Sequence, residues 1–498
     1  MLLAQQLKES YRLILGYIGT ILLGLAVALL IPLLSLIAFP GEIIYLKNFL
    51  IPSGIAAVLG LLLRQNLKYR KEASLSLKQG GVIVVASWFL VMLISAIPFF
   101  LLGTMEPLHS IFESVSGWTT TGLTVVDVGN APNIYLLWRS LMQFLGGAGL
   151  AVIMLSAIIG PHGFGLYNAE GRSDKLLPNV VKSTKLIMTI YFGYFSAGAV
   201  LYIFAGMPWF DSVNHSLAAL STGGFSTKIN SIGAYNSLAI ELVTIILMLL
   251  GTTNFAAHYL LLRGKIRQFA RIGEVRFIFL LIIIFSPVVT FFSLVKIYES
   301  VGESLRTGIF QIITAVSTTG YSTADFNNWD NFSVFIIILL MIVGGGIGAT
   351  AGGVKSYRIY VLIKSFIWNI KSYFLPKNIV RKNYIYKPEG KYYVTRSHVV
   401  RIANFVMIYI LFYLAGSLVL MLSGYSMRES LFEFGSAVGT VGLSVGITSP
   451  TAPDVVLWTE IAGMIFGRLE FFVIIFAFLQ IVKDLISYTR ARKKIRNT

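Results

Sequence analysis

Four short segments of this chain share one pattern, and that pattern limits the available folds more than any other feature. Each is an apolar-biased run that stops at hydroxyl residues and a glycine. They are Phe112–Asp127 (FESVSGWTTTGLTVVD), Val213–Lys228 (VNHSLAALSTGGFSTK), Phe310–Phe326 (FQIITAVSTTGYSTADF) and Phe432–Gly446 (FEFGSAVGTVGLSVG). Aligned on the glycine, the cores are Thr120-Thr121-Gly122, Thr222-Gly223-Gly224, Thr318-Thr319-Gly320 and Thr440-Val441-Gly442, with the glycines 102, 96 and 122 residues apart. The run Phe310–Val316 is about two helical turns, whereas crossing a bilayer takes about 20 residues. A half-length helix of this kind fits a re-entrant loop, whose irregular backbone persists at membrane depth only inside protein or beside a watery cavity. One copy would be an ordinary glycine-capped helix end. Four in register mark an internal repeat of roughly a hundred residues.

Composition supports a membrane setting. The 498 residues are 56% hydrophobic and 12% charged, with a mean hydropathy of +0.77, against about 25% charged residues in soluble domains. The chain is therefore read as an integral membrane protein. It has no cysteine, which excludes disulfides, thiol catalysis and cysteine-ligated metals. The five histidines have no metal-ligand spacing, and no nucleophile–base set, Walker A loop or inward carboxylate pair is recognisable. An enzyme is not expected.

Ten spans are expected, at about 13–39, 43–63, 81–103, 134–159, 186–206, 237–262, 277–296, 332–353, 402–423 and 455–482. The first is too long for a signal-peptide core and is read as retained. The fold class is an all-α integral membrane protein: a two-helix N-terminal hairpin (1–80) followed by four span–pore-loop–span repeats. The repeats cover 81–185, 186–276, 277–400 with a basic cytoplasmic loop, and 401–498 with the C-terminal tail.

Charge sets the orientation. The N-terminus, the loops between repeats and the C-terminus hold 33 of the 40 Lys and Arg, and by the positive-inside rule face the cytoplasm. Both termini are then inside and all four loops open outward, where most of the acidic residues lie. The net charge of +18 is thus a matter of topology, and no nucleic-acid partner is expected. The segment Lys355–Arg401, with eleven basic residues, is the largest soluble surface. It faces anionic lipid or docks a partner protein.

A filter for a dehydrated alkali cation needs several carbonyl oxygens converging on one axis in place of the hydration shell. Glycine accepts the positive φ that aims successive carbonyls inward. Four such loops in one chain give a pseudo-fourfold ring around one pore. These residues resemble the bacterial TrkH/KtrB potassium transporters, related to fungal Trk and plant HKT proteins. The resemblance covers about residues 80–485, and the N-terminal hairpin looks like the TrkH branch. It implies K+ as the transported ion, ligated by backbone carbonyls of Thr120, Thr121, Thr222, Gly223, Thr318, Thr319, Thr440 and Val441. Beside them stand Gly122, Gly224, Gly320 and Gly442. Gly122 favours K+, since relatives that conduct Na+ often have serine there. Gly223 and Val441 depart from the Thr-Thr of the first and third loops, which matters only if side-chain hydroxyls contribute.

Two features suggest a gate. GGGIGATAGG at 344–353 follows about twelve apolar residues of the third repeat's second span. Glycine costs about 1 kcal/mol each inside a helix, so the helix should break half-way across the bilayer, beneath the filter. The other second spans lack this glycine density. Close packing through small residues is the alternative, and the G-x-G-x-x-A match at Gly344 lacks the strand context of a dinucleotide site. Arg468 is read as the one Lys or Arg deep inside a span, where charge is expensive. Glu470 lies two residues on and points elsewhere on a helix, so Arg468 forms another ion pair or stands in the pore as a barrier. The resemblance supports a mobile gate loop at Gly344, Gly345, Gly346, Gly348, Gly352, Gly353 and Lys355, acting with Arg468. It further implies a homodimer and a separate cytoplasmic nucleotide-binding subunit of TrkA type, in a bacterial inner membrane. The reading is K+ uptake by channel-like permeation. A Na+-conducting or H+/Na+-coupled K+ symporter of the same fold is the alternative.

Overall fold

The structure, a computed structural model, describes residues 2–67, 77–149, 180–374, 376 and 382–496. Helices α1 (Leu2–Ala28) and α2 (Leu46–Arg64) form the N-terminal hairpin. They touch through glycine: a Cβ built on Gly19 would meet Gly60 O, and one on Gly60 would meet Gly19 O. Close approach of this kind is how helices associate where lipid is as apolar as their side chains. Glu42 ties the hairpin to the rest by accepting from Asn133 N (2.7 Å) and Ile134 N (2.9 Å), two amides left open at a helix start.

Long helices α3 (Leu77–Leu101), α6 (Val180–Phe204), α10 (Gly273–Phe292) and α14 (Arg396–Leu422) each precede a short one: α4 (Pro107–Trp118), α7 (Trp209–Leu220), α11 (Val301–Ser317) and α15 (Met427–Gly439). Two of the four short helices start at side-chain caps. Ser300 accepts from Glu303 N before α11, and Ser426 with Glu429 forms a reciprocal capping box before α15, satisfying amides that would otherwise lack partners. After each comes an apolar helix: α5 (Asn133–Ala148), α8 (Leu238–Thr252), α12 (Asn331–Val343) and α16 (Asp454–Leu469).

Packing joins these eight into a closed circuit. α4 packs on α5, α5 on α7, α7 on α8, α8 on α11, α11 on α12, α12 on α15, α15 on α16, and α16 returns to α4. Large apolar side chains cover the outside, with Phe204 84% and Leu422 87% exposed. The short helices bury Ser, Thr, Gln, His and Glu instead. A protein that is apolar outside and polar inside is built for lipid.

The described residues hold seven helices long and apolar enough to span a membrane, or eight if one bent pair counts as a span. The ten expected spans differ from this because the second helices of the last three repeats are interrupted, not only the third repeat's. α8 bends by 113° into α9 (Phe255–Leu262). α5 stops at Gly149 (φ +88), α12 at Gly344 (φ +67), and α16 at Glu470 (φ +62), beyond which α17 (Phe471–Arg496) begins. The second half of the expected span 134–159 lies outside the described residues.

Within the expected soluble loop 355–401, the described residues include regular elements. The loop opens on α13 (Ser356–Tyr373) and carries a β-hairpin, β1 (Tyr384–Lys387) with β2 (Gly390–Tyr393), pairing Tyr384 with Tyr393. That hairpin corrects the all-helical expectation. Its alternating tyrosines and turn glycine were visible in YIYKPEGKYY.

Candidate ion filter and gate

The four short helices end in the same way. Thr120, Thr222, Thr318 and Thr440 adopt left-handed backbone at φ +55, +52, +53 and +48. The next residue donates back five positions: Thr121 N to Ser116 O (2.9 Å), Gly223 N to Ala218 O (2.8 Å), Thr319 N to Thr314 O (3.0 Å) and Val441 N to Ser436 O (2.9 Å). This is the Schellman ending, normally built on glycine. A β-branched residue there is an outlier, at about 1–2 kcal/mol each. Backbone strain repeated at four aligned positions is typical of functional sites.

The glycine two residues later also has positive φ: Gly122 +97, Gly224 +77, Gly320 +84 and Gly442 +94. A Cβ on Gly122 would strike Gly223 O, one on Gly224 would strike Thr319 O, one on Gly320 would strike Val441 O, and one on Gly442 would strike Thr121 O. Each loop therefore rests its glycine against the carbonyl before the next loop's glycine, and the fourth rests against the first. The glycines are required twice over, by their φ and by this contact. All twelve sequence-predicted loop residues are brought together.

The two departures from Thr-Thr have local causes. Thr121 Oγ1 bonds Thr119 Oγ1 (2.8 Å) and Thr319 Oγ1 bonds Ser317 Oγ (2.7 Å), so these hydroxyls are engaged behind the loop. Val441 occupies the same position beside Gly439, its Cγ2 3.0 Å from where a Cβ on Gly439 would lie. Gly223 makes room for Gln143, which donates to Gly223 O (2.5 Å) and accepts from Phe225 N (3.0 Å). Among the eight carbonyls expected to ligate, that of Gly223 thus already carries a side-chain donor.

Below the loops lies the segment 344–355. Gly344, Gly348, Gly353 and Lys355 all have positive φ. Gly345 O accepts from Ser356 N (2.8 Å), Gly346 N donates to Thr252 O (3.0 Å), and Gly352 N donates to Thr318 Oγ1 (2.7 Å). A Cβ on Gly352 would strike Thr440 Oγ1. The Lys355 ammonium turns back to Ala351 O. Thr350, which sequence reasoning passed over, is the hub. Its Oγ1 lies 2.8 Å from Gly251 O and 3.2 Å from Leu220 O, and accepts from Thr222 Oγ1 at 3.1 Å. The segment is thus bonded or packed to three of the four left-handed threonines.

Arg468 donates to Thr350 O and to Gly146 O. It clamps the third repeat's segment against the first repeat's second helix and forms no ion pair with Glu470, which pairs with Arg358 (2.7 Å). Arg468 is not the lone deep cation. Arg139 on α5 is 1% exposed and bonds Glu113 at 2.6 Å, with its guanidinium 4.0 Å above the Phe225 ring. The signal was in the sequence, since Arg139 follows six residues into an otherwise apolar helix, but its short lead-in resembled a helix end.

Bundle and ring together are those of a multi-pass cation transport protein. The family model described as TrkH, cation transport protein, matches residues 47–485, and the chain belongs to that family. It is 29% identical to the potassium uptake protein TrkH of Halomonas elongata over 94% of this chain and 98% of that one. It is 32% identical to TrkG of Escherichia coli over 80% of this chain and 84% of that one. It is also similar to an uncharacterized cation transporter of Methanocaldococcus jannaschii, at 29% identity over 93% of this chain and 94% of that one. The crystal structure of the potassium transporter TrkH from Vibrio parahaemolyticus superposes with a TM-score of 0.81 at 26% identity, over 93% of this chain and 98% of that one.

Proposed function

We propose that this protein carries K+ across the cytoplasmic membrane by channel-like permeation through a pseudo-fourfold filter. Each repeat supplies one pore loop, and the N-terminal hairpin stands outside the repeats. The closed circuit in which each glycine abuts the next loop's carbonyl carries this reading. On this reading the main-chain oxygens of Thr120, Thr121, Thr222, Gly223, Thr318, Thr319, Thr440 and Val441 face one axis and replace the ion's water. The negative ends of four helix dipoles meet the same ring and favour a cation. The hydroxyls of Thr120 and Thr440, buried without a partner among the described residues, suit an ion or its water just below.

Residues 344–353, with Lys355 and Arg468, form the gate. The segment is held by several hydrogen bonds, with Ile347 as its one larger apolar side chain, so a modest change in energy can release it. Arg468 contributes both a bond to that segment and positive charge below the filter. The protein works as a homodimer in the Trk system, with a separate TrkA-type nucleotide-binding subunit bound at the basic cytoplasmic face and both termini inside.

Purified protein in liposomes tests this by its uptake of K+, Rb+ and Na+ with and without a proton gradient. Preference for K+ and Rb+ with no dependence on the gradient is expected. Conduction of Na+ as readily as K+, or uptake that requires the gradient, would favour the Na+-conducting or coupled alternative.

A further inference from the structure

Nine residues before each glycine stands a polar side chain buried to 0% exposure: Glu113, His215, Gln311 and Glu433. Two residues after each glycine stands a hydroxyl residue: Thr124, Ser226, Ser322 and Ser444. The structure joins them in every repeat. Glu113 accepts from Thr124 Oγ1 (3.0 Å) and Val125 N (3.2 Å). His215 Nε2 bonds Ser226 Oγ at 2.9 Å. The Gln311 amide nitrogen lies 3.2 Å from Ser322 Oγ and 3.3 Å from Thr323 Oγ1, and turning the amide over lets its oxygen accept from Thr323 N at 2.8 Å. Glu433 accepts from Ser444 Oγ (2.6 Å) and Val445 N (2.9 Å).

We propose that Glu113, His215, Gln311 and Glu433 are positioning residues that set ion selectivity by fixing the span of each pore loop. The inference rests on the filter reading above. Each bond ties the body of a short helix to the chain leaving the loop, eleven residues on, and closes the loop across its back. The carbonyls between can then neither recede from the axis nor crowd it. None of the four touches the ion. Functional geometry must be held within about half an ångström by such supporting contacts, and carbonyl placement is what distinguishes K+ from its competitors.

The backing differs by repeat. Arg139 holds Glu113, and the Asp211 carbonyl holds His215 Nδ1 at 2.8 Å. At the helix position of Arg139, six residues after the start, the fourth repeat has Glu460, which reaches Glu433 only through Thr448 Oγ1 (2.6 Å to Glu433, 3.1 Å to Glu460). The ring is therefore symmetric in geometry and unequal in chemistry.

The test uses full-length protein in liposomes and reads the bi-ionic K+/Na+ reversal potential beside the thermal midpoint. Gln311→Leu keeps the side-chain volume and removes the bonds. It should lower K+ over Na+ discrimination about tenfold, the scale of one lost buried hydrogen bond. Gln311→Glu, which restores an acceptor as in the first and fourth repeats, should return most of the discrimination. Should Gln311→Leu fail to reach the membrane, Ser322→Ala together with Glu433→Gln tests the same bonds and should shift the potential the same way. A lowered thermal midpoint with an unshifted reversal potential in these variants would overturn the proposal. Absence of K+ selectivity in the unsubstituted protein would instead overturn the filter reading.

Discussion

Arg468 holds the main-chain oxygen of Thr350, and the same guanidinium holds that of Gly146. One side chain of the fourth repeat thereby fastens a segment of the third to a helix of the first. Hydrogen bonds to a charged group are worth about 1.5–3 kcal/mol. Arg468→Ala is therefore expected to insert normally and to raise K+ flux at least about tenfold, one decade per 1.4 kcal/mol of shifted equilibrium. Flux at equal surface expression is the measurement. An unchanged rate would remove Arg468 from the gate.

Thr350→Val keeps the shape of the side chain and removes the hydroxyl that lies against Gly251 O and Leu220 O. A net loss of about 1 kcal/mol should raise basal flux by about fivefold while leaving ion preference intact. Unitary conductance and open probability from single-channel recording separate this from a change in the filter.

Gly122→Ser places a Cβ against Gly223 O in backbone of φ +97. The second loop must move outward, and K+ over Na+ discrimination should fall about tenfold, as expected for loss of about 1.4 kcal/mol of differential stabilisation. Gly103→Ser is the control: that glycine also has positive φ but no neighbour within 4 Å, so the reversal potential should hold.

Much of the ring was legible in the chain because its chemistry is repeated. Four Thr–x–Gly cores in register indicate a shared backbone geometry even where each alone is an ordinary helix end. The glycine-dense 344–353 was legible for a similar reason, as backbone that cannot stay helical. Three things were not. The breaks at Thr253 and Glu470 are closely preceded by one glycine each, Gly251 and Gly467, a signal too sparse to mark a helix end. Thr350 acquires its role only by standing beside Gly251 and Leu220, about a hundred residues or more away in sequence. The bonds from Glu113, His215, Gln311 and Glu433 have a fixed offset from each glycine, but four different-looking side chains conceal a common position until the coordinates align them.

Arg139→Met leaves Glu113 buried without its counter-charge, a change that costs about 3–5 kcal/mol. A sharply lower thermal midpoint in detergent is expected, with partial recovery when Glu113→Gln is added. Equal stability of the single and double variants would show that the pair is not coupled.

Among the described residues, the segment lying under the loops comes from the third repeat, while the second and fourth supply anchor points for it. Were a four-loop ring of this kind built from four identical subunits, any such insertion would appear in quadruplicate and crowd itself out at the axis. Fusing the quarters into a single polypeptide removes that obstacle. On the gate reading proposed above, one quarter is free to become a movable plug while its siblings remain a stiff collar, and a single substitution can alter opening without altering what is let through.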